Sequence, residues 1–244
     1  MSSDVSAGPE TLAPTARGAM LYDASRCGQP DERIFEREPW RTRGLLQETA
    51  AGRGTVAFVR DGERCWVLRH YRRGGLVARL IDDVYLWTGA DRTRAFREWR
   101  LLRDLHAAGL PVPVPVAARY VRSGLLYRAD LVTEELPVRR TLAQALEQAP
   151  LDADTWRTIG ACVGRLHARG VHHADLNAHN LLLGAQGEVY VLDFDRGRIR
   201  PRGPWEQAVL ERLRRSLRKV TIGLPPDRFD DTAWHALLLG VGDA

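Results

Sequence analysis

Gly170–Leu183, GVHHADLNAHNLLL, is followed a few residues later by Val189–Gly197, VYVLDFDRG. Polar side chains cost free energy when buried without hydrogen-bond partners. Three histidines, an aspartate and two asparagines between apolar runs, with a second acid at the end of VYVLD, therefore mark either an exposed loop or a built site. The segment before them ends in LHARG and closes a helical pattern, and VYVLDFD is a short buried-strand pattern that ends in acid. The local order is helix, loop, strand pair, with the polar residues at the turning points.

Moving outward, DADTWRTIGACVGRLHARG carries Trp156, Ile159, Val163 and Leu166 at helical spacing and stops at Gly170. PVRRTLAQALEQAP before it is also helical, and LLYRADLVTEEL, Leu125 to Leu136, reads as a strand. DRTRAFREWRLLRDLHAAG places Phe96, Trp99, Leu102 and Leu105 or His106 at helical spacing and ends at Gly109, ahead of the extended LPVPVPVAARYV. Further back, GTVAFVRDGERCWVLRHY reads as two strands joined at Asp61-Gly62. The first 17 residues, rich in Ser, Ala, Pro and Gly, are expected to be mobile. The organisation expected is a mobile segment 1–17, a β-rich part 18–136 with one helix, and a helix-rich part 137–244 with short strands. Near the end, WEQAVLERLRRSLRKV is an amphipathic basic helix with Leu210, Leu213 and Leu217 in line.

Composition narrows the class. No apolar run approaches the roughly 20 residues of a membrane-spanning helix, and the N-terminus lacks the pattern of a signal peptide, so a cytosolic setting is expected. Cys27, Cys65 and Cys162 have no pairing or metal spacing and are expected as reduced, mostly buried thiols. The net charge is +5, and of 36 basic residues only Lys219 is a lysine. Arginine forks suit phosphate and carboxylate, so an anionic partner fits, although GC-rich coding produces the same bias. No recognition-helix, RRM or finger pattern accompanies the charge, and no nucleic-acid partner is expected.

The pair of polar stretches resembles the catalytic loop and metal-binding segment of the protein-kinase-like fold, H-x-D-L-x-x-x-N followed by D-F-G, on His173, Asp175, Leu176, Asn180, Asp193 and Phe194. The resemblance implies an α+β, bilobal architecture with a β-rich N-lobe and a reduced helical C-lobe, and it implies ATP and Mg2+. Phosphoryl transfer asks mainly for position and charge compensation. Asp175 is then the catalytic acceptor of the attacking hydroxyl's hydrogen bond, Asn180 and Asp193 are the metal ligands, and His173 supports the loop. Gly52, Gly54 and Val56 in AAGRGTVAFV form a shortened phosphate-covering loop, and Glu98 stands where the fold places the carboxylate that pairs with a strand cation. The usual strand lysine is absent. Arg69 in WVLRHY has the right distance from the glycine loop and Arg79 in GGLVARL has the better distance to Glu98; Arg69 is favoured because it lies in a clear strand. Asp195 replaces the glycine of D-F-G, which speaks against a flipping regulatory loop.

Only 49 residues follow Asp195, with no A-P-E among them, which argues for a small hydroxyl compound as substrate and against a protein. Nine stretches, GRGT, LRHYRRGGL, YLWTG, RTRAFREWRLL, GLPVPVPVAARYV, YRADLVTE, HADLNAHNLLL, LDFDRG and LERLRRSLRK, resemble the 3-deoxy-D-manno-octulosonic acid (Kdo) kinase family from about Gly44 to Lys219. That resemblance implies ATP-dependent phosphorylation of the 4-hydroxyl of a Kdo residue on the lipid A precursor, at the cytoplasmic face of the inner membrane, with no obligate protein partner evident. Its acceptor carries a carboxylate and phosphates, and LRHYRRGG with DRGRIRPRG offers Arg69, Arg72, Arg73, Arg196, Arg198, Arg200 and Arg202 to such groups. In an extended chain the last four would alternate onto one face. A kinase of another small sugar or polyol, and a pseudokinase that only binds, are the alternatives.

Overall fold

The computed structural model describes residues 8–47, 56–72 and 83–244. Its contacts divide the chain into two units, 1–108 with 113–135 and 109–112 with 136–244. The first is β-rich with one long helix and the second is helix-rich with two short strand pairs, an α+β composition.

The first unit is built on an antiparallel sheet. Its strands are β1 (Glu10–Thr15), β2 (Gly18–Asp23), β3 (Leu46–Gln47), β4 (Val56–Asp61), β5 (Arg64–His70), β6 (Tyr85–Leu86), β7 (Pro115–Ser123) and β8 (Leu126–Glu134). The sheet order is β1-β2-β7-β8-β5-β4-β3, with β6 paired to the end of β8. Asp61 pairs with Arg64, so the β4–β5 turn is centred on Gly62-Glu63, and Gly62 takes φ +64 at the first central position, as a type II′ turn asks of glycine. Period-two alternation then sorts β5. Trp66 and Leu68 join Phe35, Trp40, Val116 and Val132 in one core, which turns Arg69 to the opposite face.

Two short helices, α1 (Ala24–Cys27) and α2 (Arg37–Thr42), precede the long α3 (Arg94–Ala107), which packs on β7 and β8. Phe96, Trp99, Leu102 and Leu105 of α3 are buried, each contributing about 1.5–3 kcal/mol. Burial of these four fixes the roll of the helix and carries Glu98 inward with them. Strand β1 corrects the expectation of a mobile segment through residue 17. Residues 10–15 form a complete ladder with β2, and Glu10 accepts from Arg100 and Arg103 of α3 at 2.8 and 2.7 Å. Composition missed it because the tie is a long-range ion pair, which also holds the Glu10 carboxyl below its usual range, the Arg100 hydrogen bond first.

The second unit contains α4 (Leu142–Gln148), α5 (Ala153–Ala168), α6 (Trp205–Val220) and α7 (Asp231–Gly242), with β9 (Val171–His172), β10 (Leu181–Leu183), β11 (Val189–Val191) and β12 (Arg198–Ile199). Thr141 and Gln144 form a capping box at α4, and Asp152 caps α5. Helix α7 lies across α5 at glycines. A Cβ on Gly160 would lie 1.9 Å from the Leu237 carbonyl oxygen, and one on Gly240 would lie 2.0 Å from that of Arg157. Val209, Leu210, Leu213 and Leu217 of α6 are buried within the unit, so the apolar face of the basic helix is covered by its own domain. No helix among the described residues is long and apolar enough to cross a membrane, and all three cysteines are free, with Cys162 buried and Cys27 and Cys65 half-buried.

Candidate active site

Two residues past the end of α5, Gly170 with its φ of +69 turns the chain into β9, and β9 pairs with β12 through Val171–Ile199 and His172–Arg198. The loop between β9 and β10 then folds back on its own backbone. Asn177 Nδ2 and Asn180 Nδ2 both donate to the Asp175 carbonyl, at 2.8 and 3.0 Å, and the Asn177 side chain accepts from the His179 amide at 2.9 Å. The main chain of Asp175 is thereby pinned while its side chain stays exposed. Leu176 and Ala178, buried at 1% and 0%, anchor the loop from below.

The β10–β11 hairpin brings the second motif to the first. Leu181 pairs with Val191, and the Leu192 amide donates to the Asn180 carbonyl at 2.8 Å, which sets Asn180 beside the residue that precedes Asp193. His173 closes the junction. Its Nε2 contacts the Leu192 carbonyl at 2.8 Å and must donate, since a carbonyl only accepts, and its ring meets Phe194 edge-on at 4.9 Å. His173 is therefore buried between the loop and the hairpin.

Asp193 is the one non-glycine residue with positive φ among the described residues, at +64°. A left-handed L-residue costs roughly 1–2 kcal/mol, and aspartate tolerates it better than most. Such strain persists where the surrounding structure over-determines it. Here the over-determination comes from the Leu192 hydrogen bonds on one side and buried Phe194 on the other, with the Phe194 carbonyl accepting from Gly197 at 2.7 Å. The Asn180 bond to Asp175 also fixes the flip of its amide and turns Oδ1 away from that bond. An amide oxygen and a carboxylate are hard donors of the kind Mg2+ takes, with water and phosphate completing its shell. The residues present fit that ion.

The Asp175 carboxylate has a partner the sequence reading did not assign. Arg212 of α6 donates to its Oδ1 at 2.8 Å, and Ser216, one turn on, accepts from the Ala178 amide at 3.1 Å. The stretch LERLRRSLRK was singled out, but nothing in its spacing said which arginine would face the loop.

In the first unit, Arg69 lies on β5 opposite Val56 and Leu131, and pairs with Glu98 of α3. Glu98 is 2% exposed and also accepts from the Tyr71 hydroxyl at 2.6 Å. Arg69 Nη2 reaches the Tyr71 oxygen at 3.1 Å, with its guanidinium 4.7 Å from that ring's centroid. Burial pushes the Tyr71 phenol well above its usual value, so it stays protonated and donates. Tyr71, in LRHYRRGGL, was not picked out from sequence. Gly52, Gly54, Arg73 and Arg79 lie outside the described residues, while Val56 opens β4.

The remaining arginines are dispersed. Arg72 is exposed, Arg196 sits in the turn after Phe194, and Arg198 is on β12 with its Nε 3.5 Å from His172 Nδ1. Arg202 is held by Glu206 through two bonds of 3.0 Å at the start of α6. The expected alternation of four arginines along one extended face does not form, because only Arg198–Ile199 is strand and a turn precedes it.

Comparison with known proteins identifies the family. Residues 37–239 match the model of the lipopolysaccharide kinase (Kdo/WaaP) family. A 3-deoxy-D-manno-octulosonic acid kinase of Vibrio parahaemolyticus is 41% identical over 198 residues, covering 81% of this chain and 83% of the relative. That of Xanthomonas axonopodis pv. citri is 45% identical over 216 residues, 86% of each chain, and that of Stenotrophomonas maltophilia 44% over 204 residues, 83% of this chain and 81% of the relative. With Asp175, Asn180 and Asp193 gathered by one loop and one hairpin and a match of this extent, the chain belongs to the lipopolysaccharide kinase (Kdo/WaaP) family.

Proposed function

We propose that the protein transfers the γ-phosphate of ATP to the 4-hydroxyl of a Kdo residue on the lipid A precursor, working as a peripheral protein at the cytoplasmic face of the inner membrane. The observation that carries the reading is the placement of Asp175, Asn180 and Asp193 by one loop and one hairpin, in a chain 41–46% identical to Kdo kinases over most of its length. Asp175, exposed and held through its backbone and Arg212, receives the acceptor hydroxyl, orients it and takes its proton late in transfer. Asn180 Oδ1 and the Asp193 carboxylate would hold Mg2+, which would supply charge compensation to the nucleotide phosphates. Arg69, fixed by Glu98 and Tyr71, stands in for the strand lysine toward those phosphates, with Gly52, Gly54 and Val56 covering them. Arg72, Arg73, Arg196 and Arg198 serve the acceptor's anionic groups and the membrane surface. Arginine's weakly hydrated, forked cation suits both.

The test is acceptor choice. With ATP and Mg2+, the purified protein is expected to phosphorylate Kdo-bearing lipid A precursor and to leave the same lipid without Kdo unmodified. Equal labelling of a simple polyol would point to the broader sugar-kinase reading.

A further inference from the structure

Arg212 of α6 lies against the exposed carboxylate of Asp175. Its Nη1 lies 2.8 Å from Oδ1, and the two side chains are 48% and 56% exposed. Its position is nevertheless fixed. Leu213 and Leu217 are fully buried, and Ser216 is bonded to the Ala178 amide of the same loop, so α6 is registered against the loop from within the unit. An exposed pair contributes about 0–1 kcal/mol, so the guanidinium can leave the carboxylate at little cost for a better anion. Arg215 and Lys219, exposed and at i+3 and i+7 from Arg212, share its side of the helix, while Arg214 turns to Asp231 at 2.7 Å.

Resting on the function proposed above, we infer that Arg212 is the acceptor-positioning residue. It holds the Asp175 carboxylate while no acceptor is bound, then passes to the sugar's carboxylate and frees Oδ1 for the attacking hydroxyl. The chemistry of the acceptor sets the distance. The Kdo carboxylate sits on the ring carbon two bonds from the one that bears the 4-hydroxyl, so a hydroxyl on Asp175 brings that anion within reach of a guanidinium bonded to the same carboxylate. The lipid phosphates lie on other sugars. Arg215 and Lys219 extend the positive face along the helix toward them.

The experiment is a cycle of enzyme and acceptor variants. For wild type, Arg212→Ala and Arg212→Lys, kcat/KM is measured on Kdo-bearing lipid A precursor, on the same acceptor with its carboxyl reduced to an alcohol, and on one stripped of its lipid phosphates. A charge-assisted hydrogen bond is expected to make Arg212→Ala roughly 10- to 100-fold slower on the native and phosphate-stripped acceptors and less than threefold slower on the carboxyl-reduced one. Arg212→Lys should recover part of the loss, and the apparent KM for ATP should stay within twofold. A penalty equal on all three acceptors, no penalty at all, or one that vanishes when the phosphates are removed overturns the inference. Failure of the wild-type protein to phosphorylate any Kdo acceptor overturns the function on which it rests, and this role with it.

Discussion

Replacing Arg69 separates charge from geometry at the first unit's ion pair. Its Nη2 bridges Glu98 and the Tyr71 hydroxyl, and its guanidinium lies over the Tyr71 ring. Arg69→Ala takes a cation from a carboxylate that is 2% exposed. Removing one partner of a buried pair costs about 3–5 kcal/mol, and Arg69 is itself 23% exposed, so the lower end applies. For a protein of this size that lowers Tm by roughly 6–12 °C at 2–4 °C per kcal/mol. If the same side chain reaches the nucleotide phosphates, turnover falls a further hundred- to thousandfold, as for other donors aimed at developing charge. Arg69→Lys keeps the charge but gives up the fork and the ring contact, worth about 1–2 kcal/mol together. It is expected to melt only a few degrees early and to retain about a tenth of the turnover. The assay is a thermal melt of each variant, followed by kcat and apparent KM for ATP at saturating acceptor, well below every Tm. Wild-type kinetics in Arg69→Ala would refute the assignment, and a crippled Arg79→Ala beside a normal Arg69→Ala would move the cation ten residues along the chain.

Asp193→Asn preserves side-chain size and tolerance of the left-handed backbone while removing the charge, so it should abolish most of the Mg2+ dependence of nucleotide binding; calorimetry of a non-hydrolysable ATP analogue with and without Mg2+ reads it, and indifference of the wild type to Mg2+ would contradict the assignment. His167, buried and edge-on to Trp205 at 5.3 Å, is pushed down to about 4, chiefly by burial. Its folded pKa is below the unfolded value of about 6.5, so its contribution is fully present above pH 6.5 and is lost as pH falls toward 4, by about 3 kcal/mol at about 1.36 kcal/mol per pH unit; urea midpoints of wild type and His167→Gln at pH 7 and 4.5 should converge on acidification. Gly160→Ala should force α5 from α7 and cost about 1–3 kcal/mol in a denaturant titration, whereas Gly242→Ala, which meets nothing within 4 Å, should be neutral.

The parts of the site that were legible from sequence share a physical trait, which is that local spacing fixes them. Asn180 lies five positions after Asp175, and a short hairpin returns the chain to Asp193, so the motif determines the geometry. Arg69 was legible because strand alternation gives it one face, although its bond to Glu98 also needed the roll of α3. What escaped was carried by partners far apart in sequence. Glu10 holds β1 to α3 across 90 residues, and Arg212 finds Asp175 across 37. Helix α7 escaped for another reason: it crosses α5 at glycines, Gly160 beneath the Leu237 carbonyl and Gly240 beneath that of Arg157, and neither helix shows that crossing by itself. The basic helix α6 carries the amphipathic pattern of a membrane-surface helix, yet that pattern also describes a helix packed on its own domain, which is what the burial of Leu213 and Leu217 shows.

The most direct test is a single transfer reaction. Wild-type protein and Asp175→Ala are incubated with γ-labelled ATP, Mg2+ and Kdo-bearing lipid A precursor, and the position of label on the glycolipid is read by mass spectrometry and NMR. The account requires one phosphate on the 4-hydroxyl of Kdo with the wild type, and next to none with Asp175→Ala despite unimpaired ATP binding. Label at another hydroxyl, or transfer by Asp175→Ala at the wild-type rate, would contradict it.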